Sequence, residues 1–328
     1  IGNITMAGGT YTSTSGGTVD LGTNYILSGT ATFNNLGTLK TSVPTSTSAT
    51  PIPTGIAWGG TVMYGSLTGG QTIVSALSYT NLTNSATSGV NTSANNLTVN
   101  GTLTTTAGGT LDLTANYRLL GTLAVITNNG IIKTSVPTAT SSTPIPTGRS
   151  WGGTIIYGAT SGAQTIVSAT SYNNLTLLNT SGSNTATSNL VVNSTLTTTA
   201  GGTLDMTGSY TLGGTLTTIT NDGTIRTSVP TSTSAAPIAS GKTWGGTGVV
   251  TYALTTGAQT IVSGTYYNIS MLNSSGTNTA SGVVNVNGTL TTTSGGTLDM
   301  GTFAIGGTPV SMVNNGTVIT SSVTSPAL

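Results

Sequence analysis

The side chains best suited to chemistry in this sequence are its five aspartates, because it contains no histidine, cysteine or glutamate. Four of them close a Gly-Gly-Thr-(Val/Leu)-Asp string at intervals of 92, 93 and 94 residues: Asp20, Asp112, Asp205 and Asp299. Glycoside hydrolysis usually needs two carboxylates about 5 to 9.5 Å apart, and no second acid recurs beside these. No general base accompanies the many hydroxyls. The sequence therefore predicts that the protein is not an enzyme. It also predicts no cofactor and no metal site, since it has no Cys/His cluster and no Asp-rich calcium loop.

Two structural roles remain open for the aspartates. A turn carboxylate can accept hydrogen bonds from nearby backbone amides. The spacing favours ion pairs, because a cation follows four of the five aspartates at one nearly constant interval. If exposed, each such pair would contribute about 0 to 1 kcal/mol. The expected pairs are Asp20 with Lys40, Asp112 with Lys133, Asp205 with Arg226, and Asp222 with Lys242.

Aromatic residues also recur once per long repeat. Trp58, Trp151 and Trp244 each open a Trp-Gly-Gly-Thr string, 93 residues apart. We assign Tyr79, Tyr172 and Tyr267 to one Tyr-x-Asn-(Leu/Ile)-(Thr/Ser) string in each repeat. These rings are suited either to stacking on sugars or to packing inside the fold, where the tryptophans would anchor a neighbouring Pro-rich segment. The second interpretation is favoured.

The elements that position these residues follow from a shorter period inside the long one. The string Gly-Thr-(Val/Leu) at residue 17 returns at residue 37 and, after 23 more, at residue 60. About four such steps make one long repeat, and a step of this length is typical of one turn of a β-solenoid. Short β-branched strings separated by Gly-Gly and Asn-Gly turns favour strands over helices. We therefore predict an all-β parallel β-helix with about four turns in each 93-residue repeat.

The predicted solenoid is one continuous domain, 1–328, with two partial and three complete repeats. Their approximate bounds are 1–20, 21–112, 113–205, 206–299 and 300–328. The alternatives are three tandem immunoglobulin-like sandwiches of about 93 residues each and a disordered chain. A sandwich gives no reason for the shorter period, and disorder gives none for apolar residues at a fixed phase.

Composition limits the partners and the location of the chain. Charged residues make up 3% of the sequence and the net charge is +1, so the basic face that nucleic acid requires is missing. No apolar run reaches the length of about 18 residues expected of a membrane-spanning helix. The sequence starts at Ile1 rather than Met, so we expect a processed product or a fragment, with any export signal already removed. Because the chain has no cysteine, its fold cannot depend on disulfides and requires no particular redox compartment.

The strings in residues 257–270, 284–290 and 295–299 carry a family resemblance. They read Gly-Ala-Gln-Thr-Ile-Val-Ser-Gly-Thr-Tyr-Tyr-Asn-Ile-Ser, Val-Asn-Val-Asn-Gly-Thr-Leu and Gly-Gly-Thr-Leu-Asp. This style of repeat resembles bacterial secreted β-helix surface proteins, including autotransporter-like and filamentous-haemagglutinin-like adhesins. The resemblance implies export, a right-handed parallel β-helix and a structural or adhesive role.

These expectations converge on a structural extracellular protein of a bacterial surface fibre or stalk. Its partners would be copies of itself, because a nearly uncharged protein lacks the repulsion that keeps monomers apart. Head-to-tail stacking of solenoid ends would build the fibre, and deletion of residues 307–328 should abolish it. The alternative is an adhesin that binds cell-surface or environmental glycans through repeated aromatic or Thr-rich loops.

Overall fold

The computed structural model describes residues 2–322, which fold entirely into β-strands and connecting turns. Every strand pairing given for these residues is parallel, and the strands stack as a β-solenoid of about 15 turns. The predicted all-β solenoid is therefore confirmed, and tandem sandwiches, which need antiparallel pairing, are excluded. Residues 2–322 contain no helix long and apolar enough to cross a membrane.

The chain divides into two compact units, residues 1–156 and 157–328. In chain order, strands β1 to β16 of the N-terminal unit are Ile4–Met6, Thr10–Ser13, Thr18–Asp20, Leu27–Gly29, Thr32–Asn35, Thr38–Thr41, Ala57–Tyr64, Thr72–Ile73, Ser78–Asn84, Val90–Ser93, Leu97–Thr98, Thr102–Thr105, Thr110–Asp112, Leu119–Leu120, Val125–Asn128 and Ile131–Thr134. Strand β17, Ser150–Tyr157, contains the boundary between the units. In the C-terminal unit, β18 to β35 are Thr165–Ile166, Ser171–Leu177, Ser183–Ala186, Leu190–Thr198, Thr203–Asp205, Leu212–Gly213, Thr218–Asn221, Thr224–Thr227, Lys242–Tyr252, Thr260–Ile261, Gly264–Met271, Thr277–Ala280, Val284–Val286, Thr289–Thr292, Thr297–Asp299, Ile305–Gly307, Ser311–Asn314 and Thr317–Ile319.

Each strand places alternate side chains inside and outside the coil, as the two-residue period of a β-strand requires. In β6, Leu39 and Thr41 are fully buried while the residues beside them are partly exposed. Leu39 lies in register with Val62 of the next turn, which in turn pairs with Leu82. Like residues thus stack on like, and each fully buried aliphatic side chain contributes roughly 1.5–3 kcal/mol.

The long sequence repeat and the turn of the solenoid do not coincide. Four turns carry the chain in register from Asp20 through Lys40, Met63 and Thr83 to Thr104. The next aspartate of the repeat, Asp112, lies eight residues beyond Thr104 and belongs to a different sheet.

The C-terminal unit repeats the same offset. Four turns lead from Asp205 to Thr291, and Asp299 follows eight residues later on another sheet. A sequence repeat therefore spans about a third of a turn more than the four turns expected. Within each unit, consecutive copies of a motif occupy different sheets.

Close contact between turns explains the Gly-Gly strings. Gly108 has a φ of 87°, which favours glycine. A Cβ at Gly109 would lie 2.0 Å from the carbonyl oxygen of Ala86 in the turn below. Only a residue without a side chain allows the backbone to approach so closely at this corner.

The Pro-rich segment before Trp58 is fixed to the turns on both sides of it. Leu27 donates its backbone N–H to the carbonyl of Pro51 over 2.9 Å, and Thr45 donates to Gly70 over 2.7 Å. The side chain of Ile52 is buried. The segment is therefore a widened, packed part of one turn rather than a free loop, and this turn is longer than its neighbours.

Candidate functional site

Three of the four expected ion pairs form, each between residues in register on consecutive turns. The distances are 2.8 Å for Asp20–Lys40, 2.9 Å for Asp112–Lys133 and 2.8 Å for Asp205–Arg226. In each pair the other carboxylate oxygen accepts a backbone N–H two residues ahead, at 2.7 to 2.9 Å. Both structural roles considered for the aspartates are thus combined in one side chain. The Lys40 hydrogen bond is the main cause that lowers the pKa of Asp20.

The fourth pair, Asp222 with Lys242, does not form. The Lys242 ammonium donates instead to the backbone carbonyl of Thr215. Asp222 accepts hydrogen bonds from Thr247, at 2.9 Å from the backbone N and 3.2 Å from the hydroxyl. Turns of the solenoid are not constant in length, and the turn that pairs Thr220 with Gly245 includes a Pro-rich segment. The interval from Asp222 to Lys242 is therefore less than one turn here.

The three tryptophans are not available for stacking on sugars, because each is only 1% exposed. In the first copy, the ring of Trp58 packs against that of Phe33, with 5.9 Å between the ring centroids. Packing inside the fold is therefore the correct alternative for these residues. None of the three indole Nε1 atoms has a hydrogen-bond partner within residues 2–322.

Two tyrosines of each repeat close a buried hydrogen-bonded ring around one valine. The Tyr64 hydroxyl accepts the N–H of Val74 at 2.9 Å, and the Tyr79 hydroxyl donates to the carbonyl of Val74 at 2.7 Å. The two hydroxyls lie 3.4 Å apart. The same ring forms with Tyr157, Tyr172 and Val167, and again with Tyr252, Tyr266 and Val262.

Burial strongly affects the ionisation of these tyrosines. It raises the pKa of Tyr64, Tyr157 and Tyr252 to about 12. Their partners have a pKa well above the usual value, again mainly because burial disfavours the anion: Tyr79, Tyr172 and Tyr266. The rings are therefore neutral hydrogen-bonding units at all physiological pH values.

Tyr267 was assigned to this position wrongly. Tyr266 is the buried member of the third ring, whereas Tyr267 is 39% exposed. The chain runs four residues from Val262 to Tyr266 but five from Val74 to Tyr79. Because of this single deletion, Tyr266 rather than Tyr267 occupies the position equivalent to Tyr79 and Tyr172.

A buried glutamine links each tyrosine ring to the Pro-rich turn. The Gln71 amide accepts the Ser66 N–H at 2.8 Å and donates to the carbonyls of Thr41 and Val43 at 2.9 and 3.3 Å. Its backbone N–H donates to Asn91 at 2.8 Å. Gln259 makes the corresponding bonds in the third copy, to Leu254, Thr227, Val229 and Asn278. Gln71 and Val74 belong to the string Gln-Thr-Ile-Val-Ser, which recurs at residues 164–168 and 259–263. This string is therefore a folding motif, because buried hydrogen bonds hold both its glutamine and its valine.

Residues 2–322 contain no group of three or more acidic side chains that could hold a metal ion. No protein-family profile matches the chain, and no curated protein or solved structure matches it either. The resemblance to secreted bacterial β-helix proteins stays a prediction.

Proposed function

We propose that this chain is a structural extracellular protein, a self-assembling subunit of a bacterial surface fibre or stalk. The observation that carries the proposal is the uncovered last described turn of the C-terminal unit. Its strands β33, β34 and β35 pair with the preceding turn through one edge only, within residues 2–322. A strand edge with free N–H and C=O groups is a template for further pairing.

Apolar side chains accompany these free edges. Val310 is 81% exposed, and Met312, Val313 and Ile319 are 42 to 47% exposed. Met312 lies in register with the buried Leu290 of the turn below, so its position is an inward one that no strand among residues 2–322 covers. Exposed apolar patches of this kind mark association sites.

The first turn of the N-terminal unit offers a matching set of edges. Strands β1, β2 and β3 have 3, 4 and 3 residues, and so do β33, β34 and β35. We propose that the last turn of one subunit adds strands to the first turn of the next. We propose in addition a right-handed path and export to the cell surface.

The test is a charge placed in the uncovered turn. Met312→Lys should prevent filaments in negative-stain microscopy of the purified protein, while circular dichroism stays that of a folded β-protein. Leu77→Lys is the matched control, since Leu77 is 70% exposed on the side of the coil, and it should leave filaments unchanged. Filaments of normal length from Met312→Lys, or none from the unmodified protein at any concentration, would exclude head-to-tail assembly. The deletion of residues 307–328 is a blunter test, because residues 323–328 lie outside the described part of the chain.

A further inference from the structure

The third Trp-Gly-Gly corner differs from the other two. In β7 the pairing resumes three residues after Trp58, at Thr61. In β26 it resumes five residues after Trp244, at Val249. Two additional residues therefore widen this corner in the C-terminal unit.

An aspartate lies directly against the widened corner. The Asp222 carboxylate receives both hydrogen bonds from Thr247 on one oxygen, and a Cβ at Gly246 would lie 2.7 Å from that oxygen. The other oxygen has no hydrogen-bond or ion-pair partner among residues 2–322. The first two repeats carry Leu36 and Asn129 at this position, so the charge is particular to the third repeat.

An exposed aromatic ring lies one turn further along, at the same corner. Tyr267 follows the buried Tyr266, and its Cδ1 is 3.1 Å from the position of a Cβ at Gly288. The ring thus lies against the backbone of Gly288 and keeps 39% of its surface open. The first two repeats have Thr80 and Asn173 here, so the aromatic ring is also particular to this copy.

A surface pocket of about 120 Å³ lies at this corner. Its lining includes Gly246, Tyr267, Asn287 and the buried Trp244. Asp222 borders the pocket through Gly246. An aromatic face and an amide thus line one small concave site, and a carboxylate lies at its border.

We infer that this corner is a binding site for a neutral sugar residue. A pyranose presents an apolar C–H face to the ring of Tyr267 and hydroxyl groups to the surrounding polar atoms. Ligand sites usually combine an apolar or aromatic surface with a few polar groups in this way. The carboxylate of Asp222 is a strong acceptor for hydroxyl donors and repels acidic sugars. Of the two cations nearest to Asp222 in sequence, Arg226 pairs with Asp205 and Lys242 uses its ammonium on Thr215.

A purely structural role for the same residues is less consistent with the fold. The first two repeats form their Trp-Gly-Gly corners with no carboxylate and no exposed ring at the equivalent positions. The two changes and the insertion coincide at one place, on three successive turns. The site goes beyond the proposed fibre function and does not depend on it.

The test is binding of the full chain to an array of neutral, N-acetylated and acidic oligosaccharides, followed by titration with the best free oligosaccharide. We expect at least one neutral or N-acetylated glycan to bind and acidic glycans to bind less. Tyr267→Thr and Asp222→Asn restore residue types like those of the other repeats, and each should weaken binding about 10-fold or more. Their circular dichroism and melting should stay unchanged.

Matched controls come from the second repeat. Asn173→Ala and Asn129→Ala change the equivalent positions there and should leave affinity within about twofold, below the 1.4 kcal/mol of a tenfold change. The inference is overturned if no neutral glycan binds, or if binding survives both Tyr267→Thr and Asp222→Asn. Filament formation is scored separately in every variant, so failure of the sugar site and failure of the fibre proposal are distinguishable.

Discussion

The buried tyrosine rings and the surface ion pairs both recur along the chain, yet they differ in how much they stabilise it. In the ring of Tyr64 and Tyr79, every polar atom is excluded from water and bonded. In the pair of Asp20 and Lys40, the side chains are 44% and 33% exposed. Removing one partner from a buried hydrogen bond costs about 1–3 kcal/mol, whereas an exposed ion pair contributes about 0–1 kcal/mol.

This difference shows that recurrence in the sequence does not rank interactions by importance. The Gly-Gly-Thr-(Val/Leu)-Asp string is the more conspicuous motif and has the charge, but water screens it. The Gln-Thr-Ile-Val-Ser string has no charge, and its glutamine and valine are held by buried bonds to four separate segments, at residues 41–43, 64–66, 79 and 91. Burial, rather than charge, decides which motif the fold depends on.

The largest expected effect is alkaline unfolding. The unfolded chain ionises its tyrosines near the usual pKa of 10.0, whereas Tyr64, Tyr157 and Tyr252 have a folded pKa of about 12. Their contribution is complete below pH 10 and is lost as the pH rises through 12. Ionisation of these three groups in the unfolded chain should therefore lower the free energy of unfolding by several kcal/mol by pH 12. Urea unfolding monitored by circular dichroism from pH 5 to 12 measures this loss.

Tyrosinate absorbance provides the internal control for that experiment. The six ring tyrosines should ionise only together with the loss of β-structure, and stability should be nearly constant from pH 5 to 9, where no side-chain type in the chain has its usual pKa. Ionisation of all eleven tyrosines without any change in circular dichroism would show that the hydrogen-bonded tyrosine rings are open to water. That result would contradict the difference between buried rings and exposed ion pairs.

The next largest effect comes from opening one ring. Tyr64→Phe removes the acceptor of the Val74 N–H, which is fully buried, so the free energy of unfolding should fall by about 1–3 kcal/mol. Tyr267→Phe removes a hydroxyl from an exposed side chain and should change stability by less than about 0.5 kcal/mol. Equal losses from the two variants in chemical denaturation would contradict the distinction between buried and exposed sites.

The sequence predicted the parallel solenoid because its strings repeat at the length of one turn, and three ion pairs followed from the same spacing. The failures share a physical cause, which is that turns differ in length. The turn that follows Asp222 contains a Pro-rich segment and is longer than the interval from Asp222 to Lys242. One deletion shifts the buried tyrosine from residue 267 to residue 266. A rule based on constant spacing fails at just these positions.

The candidate sugar site was not predictable from spacing for a related reason. Sequence repeats draw attention to residues that recur, whereas Asp222 and Tyr267 stand where the repeats depart from each other. Buried polar residues such as Gln71 and Asn91 were also hidden, because a glutamine or asparagine in a Thr-rich sequence resembles a surface residue. Only the register of the turns shows that both side chains point inward.

Loss of an ion pair should have a smaller effect than loss of a ring. Arg226→Met leaves Asp205 with its backbone hydrogen bond from Thr207, so we expect a loss of at most about 1 kcal/mol that shrinks with added salt. Lys40→Met should cost less, because Asp20 is more exposed than Asp205. Denaturation at low and high salt measures both. A loss that is insensitive to salt and falls in the range of about 1–3 kcal/mol expected for a broken buried hydrogen bond would place these pairs on a level with the tyrosine rings.

The smallest expected effect tests the corner next to an ion pair. Thr207 has a φ of 60°, where the first and last copies have Gly22 and Gly301. A β-branched residue is strained in this conformation, but glycine adds entropy to the unfolded chain. Since the two effects oppose each other, Thr207→Gly should raise the free energy of unfolding by only about 0.5 kcal/mol or less. The reciprocal Gly22→Thr should lower it by a similar or larger amount, because it introduces the same strain. A marked fall in the free energy of unfolding on Thr207→Gly would mean that the Thr207 side chain stabilises the corner. The exposed corner would then contribute to stability through more than its ion pair.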